Sequence, residues 1–316
     1  MRFLMSTFTH LLMVKLFWTS NKFCVTFDVI EGGLGIYFGL TRTSDMVYAV
    51  SRNKDVLGYR QQKDRPQNAI LEIPLNSKDF EISRRWTLPE FDDLHQIRVF
   101  GNYIAVLTGH SPELLFVDRY TREIAAKFSL SDLVPDFLRH TAPEDRPNDI
   151  YHFNSLTFYK DRLFVLAHNW TYGSFIIQVK LEFSTGIPSG LILERVFSKM
   201  GVGSHDVVLD DNRFFVCDGV NNNLLIMDLK ANTLTTLKIA PVEGTEYYPR
   251  GLGVDNSFIL VGSGVSSKDK RNRASTSTRL NIIDKKTTDA IADVEIGSWG
   301  NSCDILLIDR KDLSDQ

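Results

Sequence analysis

The sequence is poor in cysteine and lacks the short motifs of several enzyme classes. Its 316 residues contain three cysteines, Cys24, Cys217 and Cys303, and no two of them form a CxxC pair. Few and scattered cysteines are typical of reduced thiols, so we expect a cytoplasmic protein without a disulfide framework. No HExxH, GxSxG or P-loop pattern occurs, which leaves serine-based hydrolysis and nucleotide binding unsupported.

An excess of basic charge and a membrane-spanning run are also missing. The net charge is −3, whereas nucleic acid and anionic membranes select basic surfaces, so we expect neither as a partner. The first twenty residues are mostly apolar, but His10 and Lys15 interrupt them and no small-x-small cleavage site follows. We therefore interpret this stretch as two strands, FLMSTF and LLMVKLFW, rather than as a signal peptide.

Helical periodicity is weak throughout the chain. The best helical segment, residues 129–140, is short and contains Pro135. Residues 265–278 are polar and basic, which predicts a surface loop. These absences favour an all-β protein, and a hydrophobic content of 43% allows a large core.

A strand–turn–strand unit recurs four times at a fixed spacing. When the first position is set to zero, apolar residues follow at plus two and plus four, and an apolar pair follows at plus ten and plus eleven. The zero positions are His95, Asn154, His205 and Arg250, which lie 59, 51 and 45 residues apart. Two more apolar strands follow each unit. Four-stranded antiparallel sheets at such a period are typical of propeller blades.

The two ends of the chain supply the rest of the predicted ring. Residues 31–88 contain a further four-strand unit, whose first turn we expect to be longer than the others. Residues 301–308 predict a lone first strand with Cys303 at position zero, and the N-terminal segments RFLMSTF, LLMVKLFW and KFCVTFDV supply its three partners. We therefore predict a single all-β domain over residues 1–316, a β-propeller of six four-stranded blades whose ring is closed by the N-terminal strands and the C-terminal strand. Five blades is the alternative if the N-terminal strands are miscounted.

One blade resembles a known repeat. The stretch VVLDDNRFFVCDGVNNNLLIMD is similar to an NHL-type blade, whose pattern is matched by Asp210, Val216, Asp218, Asn222 and Asn223. Over the rest of the chain the resemblance is architectural, to six-bladed propellers of the gluconolactonase/paraoxonase and YVTN-like kinds. It implies the fold and says little about function.

The propeller model places the histidines at one rim. Each first strand lines the central channel, and the loop between the second and third strands emerges at the rim where that strand begins. Position zero and the residues about 13 to 15 further on therefore share one face. All seven histidines fall at such positions or in connections beside them: His10, His95, His110, His140, His152, His168 and His205. We expect the zero positions to form a ring of Gly32 or a neighbour, His95, Asn154, His205, Arg250 and Cys303.

Catalytic and substrate-binding residues are both predicted at this rim. His95, His205 and Arg250 are the candidate catalytic residues, and Arg250, Asn154, His110 and His168 are the candidate substrate-binding residues. Imidazole can transfer protons near neutral pH, and a guanidinium can hold a carboxylate or phosphate. The structural alternatives are an Arg250 that braces adjacent blades and an Asn154 that bonds backbone groups.

A divalent ion is the predicted cofactor, with His95, His152 and His205 as its ligands and Zn²⁺ or Fe²⁺ as suitable metals. The gluconolactonase resemblance implies Glu, Asn and Asp ligands at blade starts, and Glu31 and Asn154 are similar to that pattern. His205 stands where the resemblance implies Asp, with Asp206 following it. This departure favours a nitrogen-rich site over a Ca²⁺ site.

Two classes of function remain. The first is an enzyme of hydrolase, lyase or isomerase type that acts on a small anionic molecule at the channel mouth. The second is a non-catalytic scaffold whose rim binds a peptide or partner protein. In that case Trp170, Thr171, Tyr172, Tyr247 and Tyr248 are the expected contact anchors.

Overall fold

The chain forms six antiparallel sheets of four strands each. The computed structural model describes residues 1–33, 35–52, 67–77, 79–109, 112–138, 150–169, 172–239, 247–267 and 269–309. We number the sheets as blades 1 to 6 in chain order. Blade 1 joins both ends of the chain, since its innermost strand is the last one in the sequence. The predicted all-β propeller of six blades is confirmed, and the five-blade alternative is excluded.

The first three blades use residues 2–129 and the final strand. Blade 1 contains β24 (Ser302–Leu307), β1 (Arg2–Thr7), β2 (His10–Thr19) and β3 (Lys22–Gly32). Blade 2 contains β4 (Ile36–Arg42), β5 (Met46–Arg52), β6 (Ala69–Pro74) and β7 (Arg84–Trp86). Blade 3 contains β8 (Leu94–Phe100), β9 (Tyr103–Thr108), β10 (Glu113–Asp118) and β11 (Ile124–Ser129).

The other three blades follow in sequence. Blade 4 contains β12 (Phe153–Tyr159), β13 (Arg162–Ala167), β14 (Phe175–Ser184) and β15 (Ile187–Phe197). Blade 5 contains β16 (Ser204–Asp210), β17 (Arg213–Asp218), β18 (Asn223–Asp228) and β19 (Thr233–Lys238). Blade 6 contains β20 (Tyr247–Val254), β21 (Phe258–Val265), β22 (Thr278–Asp284) and β23 (Ala290–Gly297).

The innermost strands contact one another in cyclic order. β4 packs against β8, β8 against β12, β12 against β16, β16 against β20, β20 against β24, and β24 against β4. The ring is therefore closed, and the six first strands surround one channel.

The core is divided among the six interfaces between blades. Successive side chains of a strand point to opposite faces of its sheet, so each strand serves two interfaces. In β9, Ile104 and Val106 pack toward blade 2, while Ala105 and Leu107 pack toward blade 4. The same alternation around the ring produces six apolar clusters, one for each pair of neighbouring blades.

Two sequence-based expectations are corrected. The first turn of blade 2 does not lengthen the spacing of the repeat. With position zero at Phe38, the second strand begins eight residues later at Met46, as it does in the four repeats. Arg42, four residues after position zero, breaks the apolar pattern there and hides the match.

The basic segment 265–278 contains a short helix, α1 (Lys270–Ser275), where a loop was expected. At the start of this helix the Asp269 side chain accepts a hydrogen bond from Arg271 N. The described part of the segment 129–140, residues 129–138, contains two 3₁₀ turns, Ser131–Leu133 and Asp136–Leu138.

No helix in the described part of the chain has the length and apolar character needed to cross a membrane.

Candidate functional site

Every innermost strand carries an irregularity at the same place. The pairing with the second strand shifts register next to position zero in all six blades. A bulge re-aims side chains away from the regular alternation. The residues at these positions form what we call the mouth ring: Phe38, His95, Asn154, His205, Arg250 and Cys303. Phe38 therefore replaces the expected Gly32, which ends the outer strand β3 and lies against His10.

Four histidines lie in successive contact along one side of the mouth. Ring centroids are 4.7 Å apart between His95 and His152, 5.3 Å between His152 and His168, and 5.3 Å between His168 and His205. We call these four residues the histidine row. His95 and His205 occupy position zero of blades 3 and 5. His152 lies two residues before position zero of blade 4, and His168 lies in the loop after the second strand of blade 4.

The hydrogen-bond partners of His95 fix its tautomer. Its Nδ1 lies 3.4 Å from Arg52 Nη1, and a guanidinium can only donate. Nδ1 is therefore the acceptor, and in the neutral ring the hydrogen is on Nε2. That atom lies 3.2 Å from His152 Nε2, so His95 donates to His152.

The same argument applies to His205. Asn154 Nδ2 donates to the Ser204 carbonyl over 2.9 Å, which fixes the orientation of the amide, and it lies 3.0 Å from His205 Nδ1. Nδ1 of His205 is therefore an acceptor, and Nε2 carries the hydrogen. Asn154 thus orients His205, while its bond to Ser204 satisfies the predicted structural role at a strand start.

Both of these imidazoles are neutral at physiological pH. Burial lowers the pKa of His95 well below its usual range, and the electrostatic interactions of its charged form with His152 and Arg52 lower it further. Burial also lowers the pKa of His205 well below its usual range, and electrostatic interactions with Arg250 and His168 lower it further. Each ring therefore offers one donor and one acceptor rather than a charge.

Two arginines lie against the ring of Phe38. The guanidinium carbons of Arg52 and Arg250 are 4.8 and 4.7 Å from its centroid. Burial and the neighbouring Arg250 lower the pKa of Arg52 to about 9, so it remains charged at neutral pH, and it forms a buried ion pair with Asp93. Within the described residues the Arg250 guanidinium has no carboxylate partner and no hydrogen bond, and the residue is 9% exposed.

A carboxyl layer lies directly below the mouth ring, at plus one. Asp304 accepts from Leu40 N at 2.8 Å and from Gln96 Nε2 at 3.0 Å, and Asp206 accepts from Gly251 N at 2.7 Å. Burial, and then the charge of Asp304, raise the pKa of Asp206 to about 7. These bonds join blade 1 to blades 2 and 3, and blade 5 to blade 6.

The rim above the ring contains Tyr248 and α1. The Tyr248 hydroxyl donates to the Gly203 carbonyl at 3.0 Å, and its ring lies 5.7 Å from that of His205. Ala274 of α1 is buried in the same apolar cluster as Phe38 and Cys303. The basic segment is thus packed against the mouth.

The remaining predicted residues lie elsewhere or have other partners. His10 is the first residue of β2 and packs on Trp299, with ring centroids 4.5 Å apart, outside the histidine row. Glu31 accepts from the Tyr37 hydroxyl at 2.7 Å and pairs with Arg85, so it does not join Asn154. Burial raises the pKa of the Cys303 thiol to about 12. His110, His140, Trp170 and Thr171 lie outside the described residues.

Sequence reasoning missed Phe38, Arg52 and Asp93, and it gave Tyr248 only as a contact anchor of the scaffold alternative. With position zero at Phe38, Arg52 is at plus fourteen, the position of His168 in blade 4. Asp93 and Tyr248 are two residues before position zero, as His152 is. The positions two before and fourteen after position zero would have predicted these residues, but the sequence analysis used such positions only to place histidines.

A divalent ion does not fit the donors at the mouth. The unprotonated nitrogens of His95 and His205 face Arg52 and Asn154, so the Nε2 atoms would have to lose their hydrogens to bind a metal. The mouth ring has no carboxylate, and Arg250 repels cations. Among the described residues, no group of three or more His, Cys, Asp or Glu side chains is arranged to hold a metal ion. The ion at His95, His152 and His205 remains a prediction that this arrangement does not favour.

Comparison with solved structures agrees on the fold. No family model matches the chain, and no curated protein matches it. A chain in the crystal structure of a nidogen/laminin complex superposes with a TM-score of 0.63 at 8% identity, covering 96% of this chain and 97% of that chain. A protein of unknown function from Bacteroides caccae has a TM-score of 0.57 at 12% identity, with 98% and 99% covered. A 6-phosphogluconolactonase assigned as putative, from Bacteroides uniformis, has a TM-score of 0.53 at 11% identity, with 95% and 83% covered. At these identities the likeness establishes the propeller fold alone.

Proposed function

We propose that the protein is a small-molecule enzyme whose site is the channel mouth, with hydrolase, lyase or isomerase chemistry on an anionic substrate. One observation carries the proposal: a neutral, hydrogen-donating His205 shares the mouth ring with Arg250, a buried cation without a counter-ion among the described residues. The guanidinium holds the anionic group of the substrate, and the imidazole acts on the atom beside it.

The proposed role of His205 follows from its tautomer. In hydrolysis, elimination and isomerisation, negative charge develops on an oxygen, and fixed donors in a dry site stabilise it. A neutral imidazole that donates from Nε2 is such a donor. The other imidazoles of the histidine row accept the proton that the substrate releases and transfer it along the row. His95 acts through His152 rather than directly on the substrate.

Burial favours a small molecule over a partner protein. The polar members of the mouth ring are less than one tenth exposed, whereas protein partners are held by exposed aromatic anchors. Of the predicted anchors, Tyr247 is buried and Tyr172 is 58% exposed. The scaffold alternative has the likeness to a chain of the nidogen/laminin complex in its favour, since that structure is an assembly of two proteins.

A substrate screen with matched histidine variants tests the proposal. Chelator-treated protein is assayed against small lactones, esters, hydroxy acids and unsaturated acids. His205→Gln and His95→Gln are expected to lower kcat/KM by about 100-fold or more, since positioned proton donors contribute about that much. His10→Gln is the control, because that histidine lies at the rim outside the row, and it is expected to stay within about three-fold of the wild type.

Turnover that is equal in the wild type and both row variants contradicts the proposal. Specific retention of a protein partner by the rim, in a chain that turns over nothing in the screen, would favour the scaffold instead.

A further inference from the structure

The mouth contains one buried positive charge that the described residues do not neutralise. Arg52 is paired with Asp93. Among the described residues the Arg250 guanidinium forms no hydrogen bond and no ion pair, and it lies over the face of Phe38 at 4.7 Å from the ring centroid. Leaving a buried guanidinium without an acceptor is costly, so its presence indicates a ligand that completes the site.

The carboxylates nearest to the mouth are already engaged. Asp304 accepts hydrogen bonds from Leu40 N and Gln96. Asp206 accepts from Gly251 N, and with its pKa raised to about 7 it is only partly ionised at neutral pH. Neither of them supplies the missing negative charge in full.

The charge count favours a ligand group with a single negative charge. A carboxylate brings one charge and two coplanar oxygens, which match the fork of a guanidinium. A phosphate monoester brings nearly two charges at neutral pH, and the second would lie among imidazoles that burial keeps neutral. The Nε2 hydrogen of His205 is a further donor that does not require charge.

We propose that the channel mouth binds a small carboxylic acid as its carboxylate, held by the Arg250 guanidinium and by Nε2 of His205. This rests on the proposed function only for the assignment of Arg250 as the anion-binding residue. It extends that function by selecting carboxylate over phosphate, and it puts an arginine where the gluconolactonase resemblance implied a metal ion.

The test measures binding without turnover. Acetate, benzoate, benzyl alcohol and inorganic phosphate are titrated at pH 7.5 by ligand-detected NMR and calorimetry. Acetate and benzoate are expected to bind, benzoate at least ten-fold tighter than benzyl alcohol and at least ten-fold tighter than phosphate. Arg250→Gln is expected to weaken benzoate binding at least ten-fold, and Arg250→Lys, which retains the charge but not the fork, by less.

A matched control and a stability measurement separate ligand binding from bracing. Arg279→Gln removes a guanidinium of the same blade that is paired with Asp293, and it should leave benzoate affinity unchanged. Arg250→Gln should unfold at the same temperature as the wild type or higher, because it removes an uncompensated buried charge. A clearly lowered unfolding temperature would show that Arg250 braces the blades and would overturn the inference.

Other results also overturn it: phosphate binding tighter than benzoate, benzyl alcohol binding as well as benzoate, or benzoate affinity that is unchanged in Arg250→Gln. Carboxylate binding without turnover of any screened substrate leaves this inference standing and removes the catalytic proposal. Turnover that depends on His205, in a protein that does not bind carboxylates, supports the catalytic proposal and overturns this inference.

Discussion

His205 and Asp206 are consecutive residues whose pKa values burial shifts in opposite directions. The imidazole pKa falls well below its usual range and the carboxyl pKa rises to about 7, because in each case the charged form is disfavoured where water is excluded. Burial thus removes the charge of the imidazole and reduces that of the carboxyl, which leaves the Arg250 guanidinium only partly balanced by its neighbours. The electrostatics of the site are thus set residue by residue, by burial first and by neighbouring charges second.

The Asp206→Asn substitution tests this directly. The folded protein holds the Asp206 proton up to about pH 7, whereas the unfolded chain releases it near pH 4. The stability linked to that proton is complete below pH 4 and is lost as the pH rises toward 7. We expect the stability of Asp206→Asn relative to the wild type to increase by roughly 3 kcal/mol between pH 5 and pH 8, since Asn still accepts from Gly251 N and has no proton to lose.

Urea denaturation at the two pH values measures the difference. Asp289→Asn, at an exposed aspartate of the same fold, is the control and should change stability equally at both. A stability change that is the same at pH 5 and pH 8 for Asp206→Asn would show that the carboxyl is ionised throughout.

At the scale of the element, the blade edge that faces the mouth has three recurrent positions. They are position zero, the residue two before it, and the residue fourteen after it. Three blades carry glycine at plus fourteen, namely Gly109, Gly219 and Gly264, and a side chain there would collide with a neighbouring mouth or rim residue. The other two repeats carry Arg52 and His168 at this position. Glycine therefore leaves room at some blades for the functional side chains that the others supply.

Gly219→Ala tests this spacing. A Cβ at Gly219 would lie 2.7 Å from the Tyr248 hydroxyl oxygen and 2.8 Å from the Gly203 carbonyl oxygen. The tyrosine has to move, and its hydrogen bond to Gly203 is lost. We expect a loss of about 1–3 kcal/mol in unfolding free energy, in the range of other overpacking substitutions. Chemical denaturation measures it, together with the tyrosine fluorescence of the folded state.

Gly190→Ala is the matched control. It lies in the outer strand β15, where the added methyl meets the carboxylate end of the exposed Glu182 side chain, which can swing away. We expect a change within about 0.5 kcal/mol. If both alanine variants lose the same stability, crowding at Tyr248 is not the cause.

For the whole molecule, stability depends on closing the ring. β24 pairs with β1 over the register Phe3 with Leu307 to Thr7 with Ser302, and Arg2 N donates to Asp309 Oδ2 at 2.8 Å. Asp304 on the same strand bonds to blades 2 and 3. Without β24, blade 1 would expose a strand edge and its neighbours would lose these contacts.

A circular permutant separates closure from chain order. Residue 309 is linked to residue 2 by a short Gly/Ser segment, and the chain is opened in the exposed turn between β18 and β19. We expect cooperative unfolding within about 10 °C of the wild type, because every strand pair is retained. A chain ending at residue 300 lacks β24 and is expected to lose the cooperative transition; calorimetry compares the two. A truncated chain that unfolds like the wild type would show that closure is dispensable.

The fixed spacing of the repeats predicted more of the fold than of the site. The zero positions His95, Asn154, His205 and Arg250 follow from apolar offsets, because a strand, a tight turn and a second strand have nearly constant lengths. Blade 2 escaped this pattern since Arg42 interrupts it. α1 escaped because a six-residue helix held by a buried Ala274 has no periodicity to detect.

The sequence by itself indicated six blades, with five as the alternative, together with the composite first blade and position zero of five inner strands, since these depend on local periods of hydrophobicity. Only the tertiary structure decided which nitrogen of His95 and His205 carries the hydrogen, that Asp93 neutralises Arg52, and that Arg250 has no such partner among the described residues. Those properties depend on distances between side chains from different blades. Such distances do not exist until the ring has closed.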